Sequence, residues 1–162
     1  MAELTDKRLF LLDMDGTLYL DDDLFPGTVP FLRRIREKGG RYLFLTNNSS
    51  RGADSYVEKL RRLGIESVPE DFLTSVDALI LFLRKGDYQG KPLYVAGTES
   101  FRRQLRSAGF SVTSDREEAE VLICGFDTEL TFQKLEDACI LLNRGAEFLA
   151  ANPDWVCPTW YG

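Results

Sequence analysis

The segment RLFLLDMDGT, residues 8–17, decides the fold class of this 162-residue chain. Its first half is a short apolar run, which predicts a β-strand buried on both faces, as strands of parallel sheets are. Its second half places Asp13, Asp15 and Gly16 directly after that strand. Because ligands bind open α/β sheets beyond the carboxyl ends of the strands, the same segment predicts the functional site.

A second polar cluster follows the next predicted strand. Residues 42–45 are apolar, and Thr46, Asn47 and Asn48 come directly after them. Hydroxyl and amide groups are neutral donors for phosphate oxygens, although such clusters are more often plain loops and caps. We expect Asp13 and Thr46 to lie at adjacent strand ends, with Cα atoms within about 10 Å of each other.

Helical and strand patterns alternate along the rest of the chain. Apolar residues at helical spacing predict helices over residues 28–38, 53–63, 75–84, 98–108 and 131–143, with Ser75 as an N-cap. In the last of these helices, Leu135, Ala138 and Leu142 form one apolar face. Short apolar runs predict strands over residues 72–74, 93–96, 120–124 and 148–150. This alternation predicts an α/β fold with mainly parallel pairing.

The composition removes several classes of site and partner. The chain has no histidine, so histidine triads, histidine metal ligands and imidazole proton shuttles are excluded. Its formal net charge is −6, and we therefore expect no nucleic-acid partner. No apolar run approaches the roughly 20 residues of a membrane span, and the polar, acidic start is unlike a signal peptide. The sequence therefore predicts a cytoplasmic protein with no membrane partner.

The three cysteines, Cys124, Cys139 and Cys157, predict neither a disulfide framework nor a zinc site. Their number is odd, and no two of them have the C-x-x-C spacing.

The D-x-D-G-T pattern at residues 13–17 suits phosphoryl chemistry. One carboxylate can act as nucleophile, and the second can act as acid and then as base. Gly16 lets the backbone approach a tetrahedral anion closely. Two carboxylates do not approach a phosphate dianion without a cation, so the pattern implies Mg²⁺. The alternative is an Asx-type turn. An EF-hand loop is a poor alternative, because Leu18 and Leu24 stand where that loop needs Gly and Glu.

Four segments make the sequence resemble the haloacid dehalogenase superfamily of phosphatases, most of all its NagD or p-nitrophenylphosphatase-like branch. They are DMDGTLY at 13–19, TNNSS at 46–50, GFD at 125–127 and ANPD at 151–154. The resemblance implies the first half of a Rossmann-like, parallel-sheet core over residues 1–74. It further implies an α/β cap domain over residues 75–162.

The same resemblance implies a role for each candidate site residue. Asp13 would be the nucleophile that forms an aspartyl-phosphate, and Asp15 would protonate the leaving oxygen and later activate water. Thr46, Asn47 and Asn48 would hold the phosphoryl group. The family's cap-end loop faces the active site, so Cys157, in the loop after residues 152–154, could contact the substrate; the alternative is a plain loop cysteine. Mg²⁺ would be held by the Asp13 side chain and the Asp15 backbone carbonyl. The implied reaction is Mg²⁺-dependent hydrolysis of a small phosphorylated metabolite.

Two parts of the family's pattern are not matched in these residues. The lysine motif and the last carboxylate motif lie beyond the cap in that family, and Lys85, Lys91 and Lys134 fall in other segments. We therefore expect the 162 residues alone to be inactive. The alternatives are a phosphotransferase or mutase that uses Asp13, and a non-catalytic α/β fragment that binds phosphate or a partner. An exposed core edge would also let copies of the chain associate.

Overall fold

The computed structural model describes residues 6–154, which divide into two units. The first unit comprises the residues up to Thr46 together with Ala53–Leu73, and the second comprises Asn47–Gly52 and Thr74–Asp154. Each unit alternates strands with helices and contains parallel pairs, which confirms the predicted fold class. The domain boundary predicted after residue 74 remains a prediction.

The first unit is built on a three-stranded sheet. Its elements in chain order are β1 (Leu9–Asp13), β2 (Tyr19–Leu20), β3 (Asp23–Leu24), α1 (Thr28–Glu37), β4 (Arg41–Thr46), α2 (Ala53–Arg62) and β5 (Phe72–Thr74). The sheet has the order β1-β4-β5, and β2 pairs with β3 in an antiparallel ribbon. Strands β1 and β4 run parallel with Asp13 opposite Leu45, so both strands end at the same edge of the sheet.

Amphipathic helices cover this sheet. Helix α1 buries Leu32 and Ile35, and α2 buries Tyr56 and Leu60, at the three- and four-residue spacing that places side chains on one helical face. These four side chains join Phe44 of β4 in one apolar cluster. The core of the first unit therefore lies directly beneath the strand ends that carry the polar motifs.

Strand β1 is not buried on both faces, so that prediction was wrong. Leu9 and Leu11 are more than half exposed, whereas Phe10 and Leu12 pack against the core cluster. Within residues 6–154, β1 is an edge strand with one covered face. A short apolar run does not reveal this difference, because its hydrophobicity is the same on both faces.

The second unit is a separate α/β layer with a four-stranded parallel sheet. Its elements are α3 (Ser75–Lys85), β6 (Leu93–Ala96), α4 (Glu99–Ser107), β7 (Val112–Thr113), β8 (Val121–Cys124), α5 (Phe132–Asn143) and β9 (Glu147–Ala150). The strand order is β7-β6-β8-β9, and every neighbouring pair is parallel. No helix among the described residues is long and apolar enough to cross a bilayer.

Threonines cap the three helices of the second unit. The side chains of Thr74, Thr98 and Thr131 each accept a hydrogen bond from the backbone N–H three residues further on. The prediction of Ser75 as an N-cap was wrong by one residue. Thr74 holds that position because its hydroxyl and the Asp77 carboxylate form a reciprocal capping box.

Helix α5 buries a different face from the one predicted. Ala138 of the predicted face is buried, but Leu135 and Leu142 are about half exposed, and Lys134 and Asp137 are buried in their place. Hydrogen bonds to the backbone and to side chains of other elements compensate the buried charges. The apolar pattern of this helix therefore failed as a guide to its inner face.

Candidate active site

Asp13 is the last residue of β1, and Asp15 lies in the tight loop that follows this strand. The N–H of Gly16 donates to the Tyr19 carbonyl at 2.8 Å, and the N–H of Leu18 donates to the Met14 carbonyl at 2.9 Å. Gly16 has a φ of +83°, a left-handed conformation that glycine adopts without a Cβ penalty. The D-x-D-G-T pattern thus encodes a turn that returns the chain to the side of Asp15, where Tyr19 forms an isolated bridge with it.

The Asp13 carboxylate is oriented from within this loop. The Thr17 hydroxyl donates to Asp13 Oδ2 at 2.7 Å. Asp13 itself is exposed, so a solute can reach it. A carboxylate that is fixed through one oxygen presents the other oxygen in a defined direction, as a nucleophile requires.

Thr46 ends the strand next to that of Asp13. Asp13 lies opposite Leu45, the residue before Thr46. With about 4.8 Å between strands and about 3.3 Å per residue, the Cα atoms of Asp13 and Thr46 are about 6 Å apart. This agrees with the predicted adjacency of the two strand ends. Thr46 is buried, with its hydroxyl oxygen 3.4 Å from the Tyr56 hydroxyl oxygen.

Lys59 is a basic residue at this site that was not predicted from the sequence. Its Nζ lies 3.7 Å from Asp15 Oδ1, and it also lies over the Tyr19 ring at 4.0 Å from the ring centroid. The sequence did contain an indication that Lys59 is partly buried, because Lys59 directly precedes Leu60 and follows Tyr56 by three residues on α2. It therefore borders the buried stripe of that helix.

The surroundings of Asp15 shift the pKa of its carboxyl group in opposite directions. Burial raises the pKa of the Asp15 carboxyl, the Lys59 ammonium lowers it, and the negative charge of Asp13 raises it again. The net result is a pKa above the ordinary value for aspartate. A carboxyl group with a raised pKa suits general acid chemistry better than an ordinary surface aspartate does.

The polar run at residues 46–50 is divided between the two units. Thr46 belongs to the first unit, whereas Asn47–Gly52 groups with the second. Asn47 Nδ2 donates to Asp154 Oδ2, and Asn47 O accepts from the Ser75 hydroxyl at 3.0 Å. Asn48 Oδ1 accepts from the Ser50 backbone N–H at 2.9 Å and from its hydroxyl at 2.7 Å. These bonds fix the conformation of the segment that follows β4.

The remaining motif segments meet in the second unit. The Phe126 N–H donates to Ser49 Oγ at 2.8 Å, which joins TNNSS to GFD. The Asn47–Asp154 pair joins TNNSS to ANPD. A cleft of about 270 Å³ lies here, and its polar lining includes Asp127, Lys134, Asn152 and Asp154. Cys157, which could contact a substrate, lies outside the described residues.

Asp13 and Asp15 fit part of a magnesium site. Both offer hard oxygen donors, and Mg²⁺ in proteins is bound through one or two carboxylates, with waters and substrate phosphate completing its shell. Within residues 6–154, no cluster of three or more acidic, histidine or cysteine residues could hold a metal ion. The oxygen donors of Asp13 and Asp15 therefore fit the chemistry of a hard divalent cation such as magnesium.

A family model described as haloacid dehalogenase-like hydrolase matches residues 10–111. The chain belongs to the haloacid dehalogenase-like hydrolase family. The match includes both strand ends of the candidate site, at Asp13 and at Thr46. The resemblance drawn from the motif residues is thereby confirmed.

Individual relatives place this haloacid dehalogenase-like chain in the NagD or p-nitrophenylphosphatase-like branch. The acid sugar phosphatase of Staphylococcus aureus is 31% identical over 151 residues, which are 93% of this chain and 58% of that protein. The structure of 4-nitrophenylphosphatase from Thermotoga maritima is 39% identical with a TM-score of 0.89, covering 98% of this chain and 60% of that one. That of glycerol phosphate phosphatase from Mycobacterium tuberculosis in complex with magnesium is 28% identical with a TM-score of 0.88, covering 97% and 47%.

This member of the family is matched to only part of those proteins. It spans 58% of the length of the curated relative from Staphylococcus aureus. The similarity therefore covers nearly all of the present residues and leaves about two fifths of the relative unmatched.

Proposed function

We propose that the protein containing this sequence is a Mg²⁺-dependent phosphomonoester hydrolase that acts through an aspartyl-phosphate on a small phosphorylated metabolite. The observation that carries the proposal is the pair Asp13 and Asp15 at the end of β1, beside the Thr46 end of β4. Membership of the haloacid dehalogenase-like hydrolases supports it, and so do the phosphatase names of the relatives.

In the proposed first step, Asp13 attacks the phosphorus. Asp13 Oδ2 accepts the Thr17 hydroxyl, so Oδ1 forms the new bond to phosphorus. The bond from phosphorus to the leaving oxygen breaks, and that oxygen takes its electron pair and a proton from Asp15. Burial raises the pKa of Asp15 above its ordinary value, which is the direction that favours a proton donor.

In the proposed second step, water attacks the phosphorus of the aspartyl-phosphate. Asp15, now ionised, takes a proton from this water. The bond from phosphorus to Asp13 breaks, and phosphate leaves. Both carboxyl groups have then returned to their starting protonation states, and the net reaction is hydrolysis of the ester.

Neutral donors and the metal complete the proposed site. Thr46, Asn47 and Asn48 would supply the hydroxyl and amide donors that hold the phosphoryl oxygens. The Asp13 side chain and the Asp15 backbone carbonyl would hold Mg²⁺, which offsets the repulsion between a carboxylate and a phosphate dianion.

We further propose that the 162 residues alone do not turn over substrate. In the family's pattern, a lysine beyond the cap neutralises the nucleophile. Lys59 does not take that role, because its ion pair is with Asp15. An isolated chain would therefore bring a carboxylate and a phosphate together with too little positive charge.

The test uses the purified natural protein, whose intact mass is measured first. With Mg²⁺, it should hydrolyse p-nitrophenyl phosphate, and the activity should disappear with a chelator and return with Mg²⁺. Asp13→Asn should abolish turnover and the acid-stable phosphorylated peptide, because an amide does not form an acyl-phosphate. Asp22→Asn, an exposed carboxylate further along the same segment, is the matched control and should leave activity unchanged.

Retained turnover in Asp13→Asn would refute the aspartyl-phosphate route and favour direct attack by water. The 162-residue chain is assayed beside the natural protein. Hydrolysis by that chain alone would contradict its proposed inactivity and would require the missing positive charge to come from within these residues.

A further inference from the structure

Lys59 is a cation held largely out of water. Only 14% of its side chain is exposed, whereas Arg61 and Arg62 in the same last turn of α2 are exposed. An ammonium group that leaves water without compensation is strongly unfavourable. The groups that Lys59 contacts must therefore stabilise it in this position.

One of the two groups is a fixed aromatic face. The Tyr19 ring is fully buried, and Lys59 Nζ lies 4.0 Å from its centroid. The Tyr19 backbone is held in turn, because its carbonyl accepts the Gly16 N–H. A desolvated contact of this kind can stabilise a cation by about 2 kcal/mol. The location of the ammonium is thus set by a residue of the same loop that carries Asp15.

The other group is the Asp15 carboxylate. Its Oδ1 is 3.7 Å from Lys59 Nζ, which is beyond the length of a hydrogen bond. The ammonium therefore attracts Asp15 as a fixed charge and does not occupy one of its lone pairs with a short bond. With 37% of its side chain exposed, Asp15 is still able to meet a substrate.

We propose that Lys59 is a positioning residue for Asp15: seated on the Tyr19 ring, its ammonium holds the acid–base carboxylate in the orientation from which it reaches the leaving oxygen. This inference rests on the proposed phosphatase function. It goes beyond that function, because it assigns a role to α2, which carries none of the motif residues. Removing the cation should release Asp15 while Asp13 and its bond to Thr17 remain in place.

The expected signature is a loss that depends on the leaving group. An alkyl phosphate needs a proton from Asp15, whereas p-nitrophenolate leaves with little help. In the natural protein with Mg²⁺, Lys59→Met should lower kcat for an alkyl phosphate such as glycerol phosphate by at least about tenfold more than for p-nitrophenyl phosphate. KM should change less than about threefold, because the phosphate donors are untouched. Lys59→Arg keeps the charge and should restore most of the alkyl phosphate activity.

Two further variants separate a positioning role from a purely structural one. Arg62→Met removes an exposed cation from the same helical turn and should leave both activities unchanged. In an Asp15→Asn background, Lys59→Met should have almost no further effect, because the group that it positions is absent. Lys59→Gln is neutral but polar and gives the same comparison if Lys59→Met does not fold.

Each contrary result has a definite meaning. An equal loss with both substrates, a full effect of Lys59→Met in the Asp15→Asn background, or a change in KM alone would overturn the positioning role. Wild-type activity in Lys59→Met would overturn it while leaving the phosphatase proposal intact. A wild-type protein that hydrolyses neither substrate would overturn the proposed function, and this inference with it.

Discussion

Replacing Lys134 with methionine is expected to destabilise the second unit by about 3–5 kcal/mol. Lys134 Nζ donates to the Asp127 carboxylate at 2.9 Å and to the carbonyls of Gly97 and Glu129 at 3.0 and 2.8 Å. The side chains of Lys134 and Asp127 are only 11% and 6% exposed. Methionine has a similar length, so the substitution removes the charge and the three donated bonds but fills most of the space. The main cost is the Asp127 carboxylate, which would remain buried without its cation.

An exposed ion pair of the same unit provides the matched control. Arg144 Nη1 lies 2.7 Å from Glu117 Oε2, which is shorter than the Lys134–Asp127 separation, but the two side chains are 50% and 59% exposed. Arg144→Met should therefore cost less than about 1 kcal/mol. The double variant Lys134→Met with Asp127→Asn should be more stable than Lys134→Met alone, because no unpaired buried charge remains.

Urea unfolding followed by amide hydrogen exchange in β6 and β8 measures these differences within the second unit. At a slope of about 2 kcal/mol per molar urea, a loss of about 4 kcal/mol lowers the midpoint by about 2 M. If Lys134→Met lowers the midpoint no more than Arg144→Met does, burial does not determine the strength of this pair and the reasoning is refuted.

Two further predictions concern the second unit. The Tyr94 hydroxyl donates to the buried Asp137 at 2.8 Å, and burial together with that bond raises the pKa of Tyr94 to about 12. The stabilisation by the protonated Tyr94 hydroxyl should be complete below pH 10 and lost as the pH rises to about 12. In urea unfolding, Tyr94→Phe should remove this alkaline loss of stability. A wild-type free energy of unfolding that stays constant over this pH range would contradict the prediction. A Cβ on Gly125 would overlap Ser49 Oγ, so Gly125→Ala should cost about 1–3 kcal/mol in the same assay. Gly27→Ala, in the first unit, where a Cβ meets no atom within 4 Å, should have little effect on urea unfolding followed through β4, and equal costs for both substitutions would contradict the steric cause.

The helices of several turns and the strands of three or more residues could be predicted from the sequence. The exact residues at which these elements begin and end could not. The predicted strands over 72–74 and 93–96 match β5 and β6, because a short apolar run between polar turns is typical of a buried strand. The two-residue strands β2, β3 and β7 carry no detectable period and were missed. Thr98 and Thr131 were predicted inside their helices, because a cap and a first helical residue differ in backbone conformation and hydrogen bonding rather than in hydrophobicity.

The buried polar groups of α5 could not be predicted, because several of their partners come from other elements. Lys134 bonds to the Gly97 carbonyl after β6, and Asp137 bonds to Tyr94 in β6 and to Arg116. Burial raises the pKa of Asp137, but hydrogen bonds from Tyr94, Arg116 and Gln133, together with the charge of Arg116, lower it by more, so the net pKa lies below the ordinary value. Charged side chains face water unless buried hydrogen-bond partners compensate them. A single sequence does not reveal which distant residues will be these partners.

In the candidate site too, residues of one sequence segment could be predicted, whereas a contact between distant segments could not. Asp13 and Asp15 were predicted because their spacing, the strand before them and the glycine after them are all local properties of one segment. Lys59 was not predicted, because its contact with Asp15 depends on which way α2 turns when Tyr56 and Leu60 enter the core. Sequence motifs therefore identify the groups that would meet the substrate, whereas the groups that orient them are found from packing. For this family member, the packing that matters is a single lysine on a buried aromatic ring, and variants of Lys59 test it without altering any motif residue.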